Sequence, residues 1–280
     1  MAPTLNIVGA GHVGRVLGRL FAASGAFALQ DVLTRSQASA RAALAFIGAG
    51  HAPQSLDEMR PADVWMLAVG DDQIDAVCAR LAARHALAGA IVFHCSGARS
   101  SALLGAASEA GALAASVHPI RSFADPEQVA RHFGGTFCGV EGAAAALAVL
   151  VPALTAIGAQ PVAIDAQAKT VYHAASVFAS NYLVTVLDAA LRAYQAAGVP
   201  EPVARALAQP LASESMDNVF RLGAAAALSG PLARGDMDTV ARQQAALAAW
   251  DGPTADLYAA LVPPTADLAR RKTRPGKEPS

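Results

Sequence analysis

Short, continuously apolar runs alternate with helix-period stretches over the first 164 residues, and the alternation then stops. Leu5-Asn6-Ile7-Val8, Phe27 to Leu33, Val64 to Val69 and Ala90 to His94 read as strands, with more expected at Leu113 to Val117, Thr136 to Val140 and Gln160 to Ile164. Apolar runs without polar alternation belong to strands covered on both faces, as in a parallel sheet. After the first run, Val13, Val16, Leu17, Leu20 and Phe21 recur at the spacing of one helical face. Residues 1–164 are therefore expected to form a doubly wound α/β domain. From Ala166 to Ala197 the helical period runs without interruption until Gly198 and Pro200, and helices are expected at 201–222, 237–249 and 254–270. This predicts an all-helical domain over 165–269. Residues 270–280, charged and proline-containing, are expected to form a frayed tail. The charge-free stretch from Gly142 to Ile164 superficially resembles a membrane span, but Pro152, Thr155 and Gly158 interrupt it and alanine carries little transfer energy. Helix, turn and strand are expected there instead.

Directly after the first strand stands Gly9-Ala10-Gly11-His12-Val13-Gly14, with the amphipathic helix following. A strand ending in glycines and entering a helix lets backbone N–H groups approach a pyrophosphate where the helix dipole favours negative charge. The position of this GxGxxG, between strand and helix, supports dinucleotide binding and a Rossmann domain. His12 occupies a variable place in the motif, where it caps the helix or touches phosphate. At the end of the second strand an NAD-type site carries an acid for the ribose 2′-hydroxyl, and here stands Thr34-Arg35-Ser36. Asp31 falls inside the strand. A guanidinium flanked by hydroxyls suits a 2′-phosphate, so NADP is preferred over NAD, against the alternative that Arg35 is a solvated arginine opening the next helix.

Composition narrows the partners. The chain has 21 basic and 22 acidic residues and a formal charge of −1, with no basic stripe for nucleic acid or an anionic membrane. A small-molecule substrate is expected. Cys78, Cys95 and Cys138 are widely spaced and odd in number, which indicates neither a disulfide framework nor a zinc site. A reducing cytoplasm fits this usage, and the N-terminus lacks the basic and apolar regions of a signal peptide.

Lys169, His173, Ser176 and Ser180 follow one another at spacings of four, three and four. At about 100° per residue they share one polar stripe on an otherwise apolar helix. Lys169 is the first lysine in the chain, and the next is Lys272. A lysine next to an imidazole can move the proton that accompanies hydride transfer, whereas an exposed polar face is the plain alternative. Asn181, about 80° round from His173, is a candidate substrate ligand. The strand ends that face a cofactor cleft carry Val69-Gly70-Asp71-Asp72, Cys95-Ser96-Gly97 and His118-Pro119. His118 either faces the ligand or packs at a turn, and His94, inside an apolar strand, reads as a satisfied core histidine. In the turn Gly230 to Asp236, Asp236 has a helix to cap, while Arg234 is a candidate for a substrate carboxylate.

A Rossmann domain followed by helices that open on a lysine resembles the superfamily of 6-phosphogluconate dehydrogenase, β-hydroxyacid dehydrogenases, ketopantoate reductase and pyrroline-5-carboxylate reductase. The chain is more closely similar to Rossmann-like proteins with a C-terminal domain of unknown function, often labelled NADP-dependent oxidoreductases. The likeness is carried by His94-Cys95-Ser96-Gly97, His118-Pro119 with Phe123, Tyr172-His173-Ala174-Ala175 through Ser180-Asn181-Tyr182, and Gly230-Pro231 with Arg234-Gly235-Asp236. In β-hydroxyacid dehydrogenases the helix carries a lysine and, four residues on, an asparagine. Lys169 matches the lysine and His173 departs from the asparagine, while Ser96 corresponds by position to a serine at a cleft strand end.

The expectation is a homodimer, paired through its helices, that transfers a hydride between NADPH and a small carbonyl or imine bound between the two domains. Gly9, Ala10, Gly11, His12, Val13 and Gly14 would hold the pyrophosphate, Thr34, Arg35 and Ser36 the 2′-phosphate, and Val69, Gly70 and Asp71 the cleft. Lys169 and His173 would handle the proton, with Ser96, His118 and Asn181 orienting substrate. The rival expectation is a sensor or scaffold that binds NADP without turnover, a reading that Lys169 and His173 pointing to bulk solvent would favour. A methyltransferase fits less well, because its glycine motif is usually followed by an acid where Arg35 stands.

Overall fold

The computed structural model describes residues 1–272. Two compact units divide the chain, the first ending at Ser180 and the second beginning at Asn181. Seven strands build one sheet in the first unit: β1 (Thr4–Val8), β2 (Ala28–Leu33), β3 (Val64–Leu67), β4 (Ile91–His94), β5 (Leu113–Pro119), β6 (Phe137–Gly142) and β7 (Gln160–Ala163). Their spatial order is β2-β1-β3-β4-β5-β6-β7. The helices that alternate with them are α1 (His12–Ser24), α2 (Gln37–Ile47), α3 (Ile74–Arg84), α4 (Gly105–Glu109), α5 (Pro126–Arg131) and α6 (Ala144–Ala156).

Strand period explains the two-sided core. Leu5, Ile7, Val64, Met66, Ile91 and Phe93 enter one apolar cluster with Val16, Leu17 and Phe21 of α1 and Leu150 and Leu154 of α6. The intervening Val8, Trp65, Leu67 and Val92 enter a second cluster with Ile74 and Leu81 of α3. Successive side chains point to opposite faces, and both faces are covered. The strand order reverses at β1, so the crevice between β1 and β3 is the switch point at which such sheets bind ligands.

The sheet departs from the all-parallel expectation in one place. β6 runs antiparallel to β5, pairing His118 with Gly139 and Pro119 with Cys138. The chain between them never crosses to the other end of the sheet, since Ile120 N–H already donates to Phe137 O at 2.8 Å. The connecting segment, with α5, therefore stays at the carboxyl edge, where Arg19 of α1 pairs with Glu127 at 3.2 Å. β3 ends at Leu67 rather than Val69: Ala68 N–H still donates to Val8 O at 2.8 Å, and the chain then enters the turn closed by Gln73 N–H on Gly70 O. The Gly142 to Ile164 stretch forms α6, a turn at Gly158 and β7, as the sequence predicts.

The long helix is interrupted, contrary to expectation. A 3-10 turn (Ala166–Ala168) leads into α7 (Lys169–Val177), a π-helical turn covers Phe178–Tyr182, and α8 (Leu183–Ala196) follows. The first unit runs to Ser180, past the 164/165 junction expected from the loss of strand signal, and thus includes α7. The second unit contains α8, α9 (Glu201–Leu222), α10 (Ala224–Ala227), α11 (Pro231–Arg234), α12 (Met237–Trp250) and α13 (Gly252–Lys272). Residues 270–272 of the expected tail belong to α13, and the rest of that tail lies outside the described residues. The helical stretch Ala166–Ala196 is long and apolar enough, by length and composition, to cross a membrane.

Candidate active site

The glycine loop separates three physical roles. Gly9 has φ +88°, and a Cβ there would lie 2.6 Å from Ala68 O and 2.7 Å from Val69 Cγ1, so the turn against β3 requires glycine. A Cβ on Gly14 would meet Gly9 O at 2.5 Å, so this glycine lets α1 close onto the turn. Gly11 differs: nothing lies within 4 Å of its would-be Cβ. It N-caps α1 with no side-chain cap, and the first turn of α1 carries no acid, so backbone donors face open space. Ala10 and Val13 line this turn. His12 does not cap the helix; its Nδ1 hydrogen-bonds Phe123 O at 2.6 Å and ties the segment after β5 to the loop.

At the end of β2 the three candidate residues are unequal. The Thr34 hydroxyl donates to Ser36 O at 2.9 Å, and Ser36 caps α2 by accepting from Ser39 N–H at 3.2 Å. Both hydroxyls shape the corner. The exposed Arg35 guanidinium has no hydrogen bond or ion pair among the described residues. Asp31 is unavailable to a ribose: it is buried in the strand and paired with Arg60 at 2.7 Å.

Beyond β4 the chain is pinned from several sides. His94 accepts from Ser96 N–H at Nδ1 (3.1 Å) and so donates from Nε2 to Ser100 O (3.0 Å), the satisfied core histidine the sequence suggests. Ser96 Oγ donates to Asp71 Oδ2 at 2.6 Å and accepts from the N–H groups of Ala98 and Arg99. Exposed Gly70 leads from Val69 into this contact. Lys169 is only 2 % exposed. Its Nζ donates to Ser96 O at 3.0 Å and to Ser116 Oγ, and lies 3.7 Å from Glu141 Oε1. Burial pulls the Lys169 ammonium below its ordinary value, and the Glu141 charge opposes that pull. The ammonium is thus engaged with the protein rather than lined up on an open stripe.

The next residues on the same helix face form a second cluster. Tyr172 OH sits 2.8 Å from His118 Nδ1, and the His118 and His173 rings are 5.6 Å apart. Two glycines make room for them. A Cβ on Gly139 would lie 2.5 Å from Tyr172 OH, and one on Gly97 would lie 2.3 Å from His173 Cδ2 and 2.7 Å from His118 Nε2. Lys169 is buried and His173 half-buried, so the solvent-facing arrangement that would favour the rival expectation is not the one observed for Lys169. Tyr172 was not singled out among the candidate site residues, although its place three residues after Lys169 puts it on the same face. Asn181 lies in the π turn at the start of the second unit, and exposed Arg234 ends α11 in that unit beside Asp236. Cys95 and Cys138 are free thiols, both pushed up to about 12 chiefly by burial, which makes them inert near neutrality.

Protonation in the cluster follows from burial. The Tyr172 hydroxyl is pushed up to about 12 and stays protonated. His118 is pushed down to about 4, first by burial, then by His173 and by the Lys169 charge, with Asp71 opposing. The phenol therefore donates to Nδ1 and leaves the imidazole proton on Nε2, the nitrogen beside Gly97. Between its ordinary value of 6.5 and about 4 the unfolded chain binds a proton that folded His118 refuses. Stability is accordingly expected to hold above pH 6.5 and to fall as pH drops through that window. In urea titrations from pH 7.5 to 4, His118→Gln should flatten part of the fall, with His94, also pushed down by burial, and the lowered carboxyls of Asp31 and Asp63 contributing to what remains. An identical pH slope in the variant contradicts the assignment.

A mostly parallel sheet whose first strand turns through glycines into a helix at the switch point defines a Rossmann-like domain. Residues 3–119 match the family described as a Rossmann-like domain, and residues 136–264 match the domain of unknown function DUF2520. The chain is a Rossmann-like protein with a C-terminal DUF2520 domain. Among solved structures it is similar to protein TM1727 of Thermotoga maritima, with 27% identity, 97% of this chain and 100% of that chain covered, and a TM-score of 0.73. It is also similar to BF3122 of Bacteroides fragilis, described as an NADP oxidoreductase, at 19% identity, 95% and 98% coverage and TM-score 0.79. An imine reductase from Myxococcus stipitatus, in complex with NADP+, matches at 17% identity, 96% and 93% coverage and TM-score 0.65. Comparison with curated protein sequences finds no match.

Proposed function

We propose that this protein is an NADP-dependent oxidoreductase acting on a small carbonyl or imine compound. The observation that carries the reading is the pairing, within one unit, of an open glycine cradle at Gly11 with the His118, Tyr172 and His173 cluster at the carboxyl edge of the same sheet. The residues present fit NADP: the uncapped α1 N-terminus suits the pyrophosphate, and the unpaired Arg35 suits a 2′-phosphate. When bound, NADPH supplies the hydride. The chain's own part is to orient the substrate and hold a proton against its carbonyl oxygen or imine nitrogen, for which neutral His118 presents Nε2–H beside Gly97, its tautomer fixed by the Tyr172 hydroxyl donating to Nδ1. His173 lies beside His118 against the same face of Gly97. The names of the NADP oxidoreductase and imine reductase among the similar structures support this class. The test is NADPH oxidation against a panel of small keto acids and cyclic imines; tight binding without turnover of any member favours a sensor.

Cofactor choice has a separate test. A charge-assisted contact from Arg35 should give roughly 10- to 150-fold preference for NADPH over NADH. Arg35→Ala is expected to remove most of that preference in competitive binding, and equal NADPH affinity in both proteins refutes the role.

A homodimer through the helical unit is part of the same proposal. Described by itself, that unit buries, among its described residues, only Ala189, Ala204, Val240, Thr254 and Ala255. Along α9, Val203, Leu207 and Leu211 form an exposed stripe at spacings of four, and Val184 of α8 is 66% exposed. So little burial cannot offset the ordering of its helices, and a second copy presents the same stripe for mutual burial. Sedimentation at micromolar concentration should give twice the chain mass, and Leu207→Glu with Leu211→Glu should give a monomer of reduced stability. A monodisperse wild-type monomer, or partitioning into liposomes, goes against it.

A further inference from the structure

We propose that Lys169 and Glu141 form a positioning pair that sets the Ser96–Gly97 peptide beneath the His118 and His173 rings. It rests on the reductase reading only where turnover is the readout.

The segment after β4 is held at both ends by this one ion pair. At its start the Ser96 carbonyl accepts from Lys169 Nζ at 3.0 Å, with Ser116 Oγ adding a bond at 3.4 Å. At its end Glu141 Oε1 accepts Ser101 N–H and Oε2 accepts the Ser101 hydroxyl, both at 2.7 Å. Between these anchors Ser96 Oγ gathers the N–H groups of Ala98 and Arg99 and donates to Asp71. The peptide bonds are trans, so a carbonyl fixed toward the ammonium turns the Gly97 N–H away from it. That N–H has no partner among the described residues, and Gly97 lies against His118 Nε2 and His173.

Both charged groups are spent on this task. Lys169 is 2% and Glu141 7% exposed, and every donor direction of the ammonium meets Ser96 O, Ser116 Oγ or Glu141. A proton lent from Nζ would leave Glu141 charged and buried without its counterion. The pair therefore acts through Gly97 and the imidazoles, and the proton is handled by the outer cluster.

The chain has three lysines, so lysine Nζ signals are resolvable in the wild-type protein by NMR. The pair predicts a Lys169 ammonium protected from exchange and unmoved by NADPH; exchange as fast as that of exposed Lys272 overturns it. With histidine ring labelling, Lys169→Met and Glu141→Gln should each shift the His118 and His173 signals and raise amide exchange over residues 96–101 about tenfold or more. Lys169→Arg, which stays charged but lends no proton near neutrality, should return the rings toward wild-type positions. Unchanged rings in folded Lys169→Met overturn the proposal. Turnover supplies the last arm: with rings restored, Lys169→Arg should oxidise NADPH against 1-pyrroline within about tenfold of wild type and with the same pH profile. A thousandfold loss in that variant makes Lys169 the proton donor and overturns positioning. Absence of turnover in wild type counts against the reductase reading, while the NMR and exchange arms still decide the pair.

Discussion

Gly11→Ala is expected to weaken NADPH binding roughly 100-fold, a loss of about 2.7 kcal/mol, while leaving the melting temperature unchanged. The separation arises because the backbone of Gly11 already has φ −65°, which alanine adopts freely, and its Cβ would enter empty space in the protein. That space is where the proposed pyrophosphate approaches the α1 N-terminus, so the methyl group acts on the ligand alone. Gly14→Ala is the contrasting control. Its Cβ would press on Gly9 O at 2.5 Å, and overpacking of this kind costs about 1–3 kcal/mol of stability whether or not cofactor is present. Calorimetric titration paired with thermal melting of both variants checks the prediction. Equal NADPH affinity in Gly11→Ala and wild type removes the pyrophosphate from this loop.

Lys169→Met should destabilise the first unit by about 3–5 kcal/mol, because it leaves the Glu141 carboxylate buried without a counterion. Combining it with Glu141→Gln should recover the greater part of that loss, since the amide retains an acceptor for Ser101 N–H and brings no charge into the interior. Denaturant titration of the four proteins in the cycle gives the coupling directly. A double variant that loses the sum of the two single losses shows that the side chains contribute independently, and the buried pair is then no unit.

How much of this was legible in the sequence depended on whether the signal was local. Leu5 to Val8 followed by Gly9-Ala10-Gly11-His12-Val13-Gly14 announced strand, turn and helix, because each step depends on residues within a few positions. The continuous apolar runs announced a two-faced sheet for the same reason. The direction of β6 was hidden, since pairing sense is decided by where the chain between Ile120 and Phe137 travels and not by the strand's own residues. The π turn at Phe178–Tyr182 was hidden too, because a single wide turn barely disturbs a hydrophobic period.

At the site, the polar stripe on the long helix was visible, but its members do different things. Lys169 turns inward to Ser96, Ser116 and Glu141, while His173 meets His118, as does Tyr172, which the stripe did not include. The partner Glu141 did leave a trace: it is the one acid in the otherwise apolar and glycine strand Phe137–Gly142. Such a residue needs a buried counterion if the strand is covered on both faces, and Lys169 is the cation that meets it. Gly97 and Gly139 gave no warning of their part, because a glycine that makes room for a side chain from a distant helix looks like any other glycine.

The central claim is that the glycine loop and Arg35 hold NADP in a protein built to reduce a small carbonyl or imine. Calorimetric titration of the full-length chain with NADPH and, separately, with NADH tests it most directly. The account predicts saturable NADPH binding at one site per chain, with NADH at least tenfold weaker. Folded protein that binds neither cofactor contradicts the account from Gly9 onward.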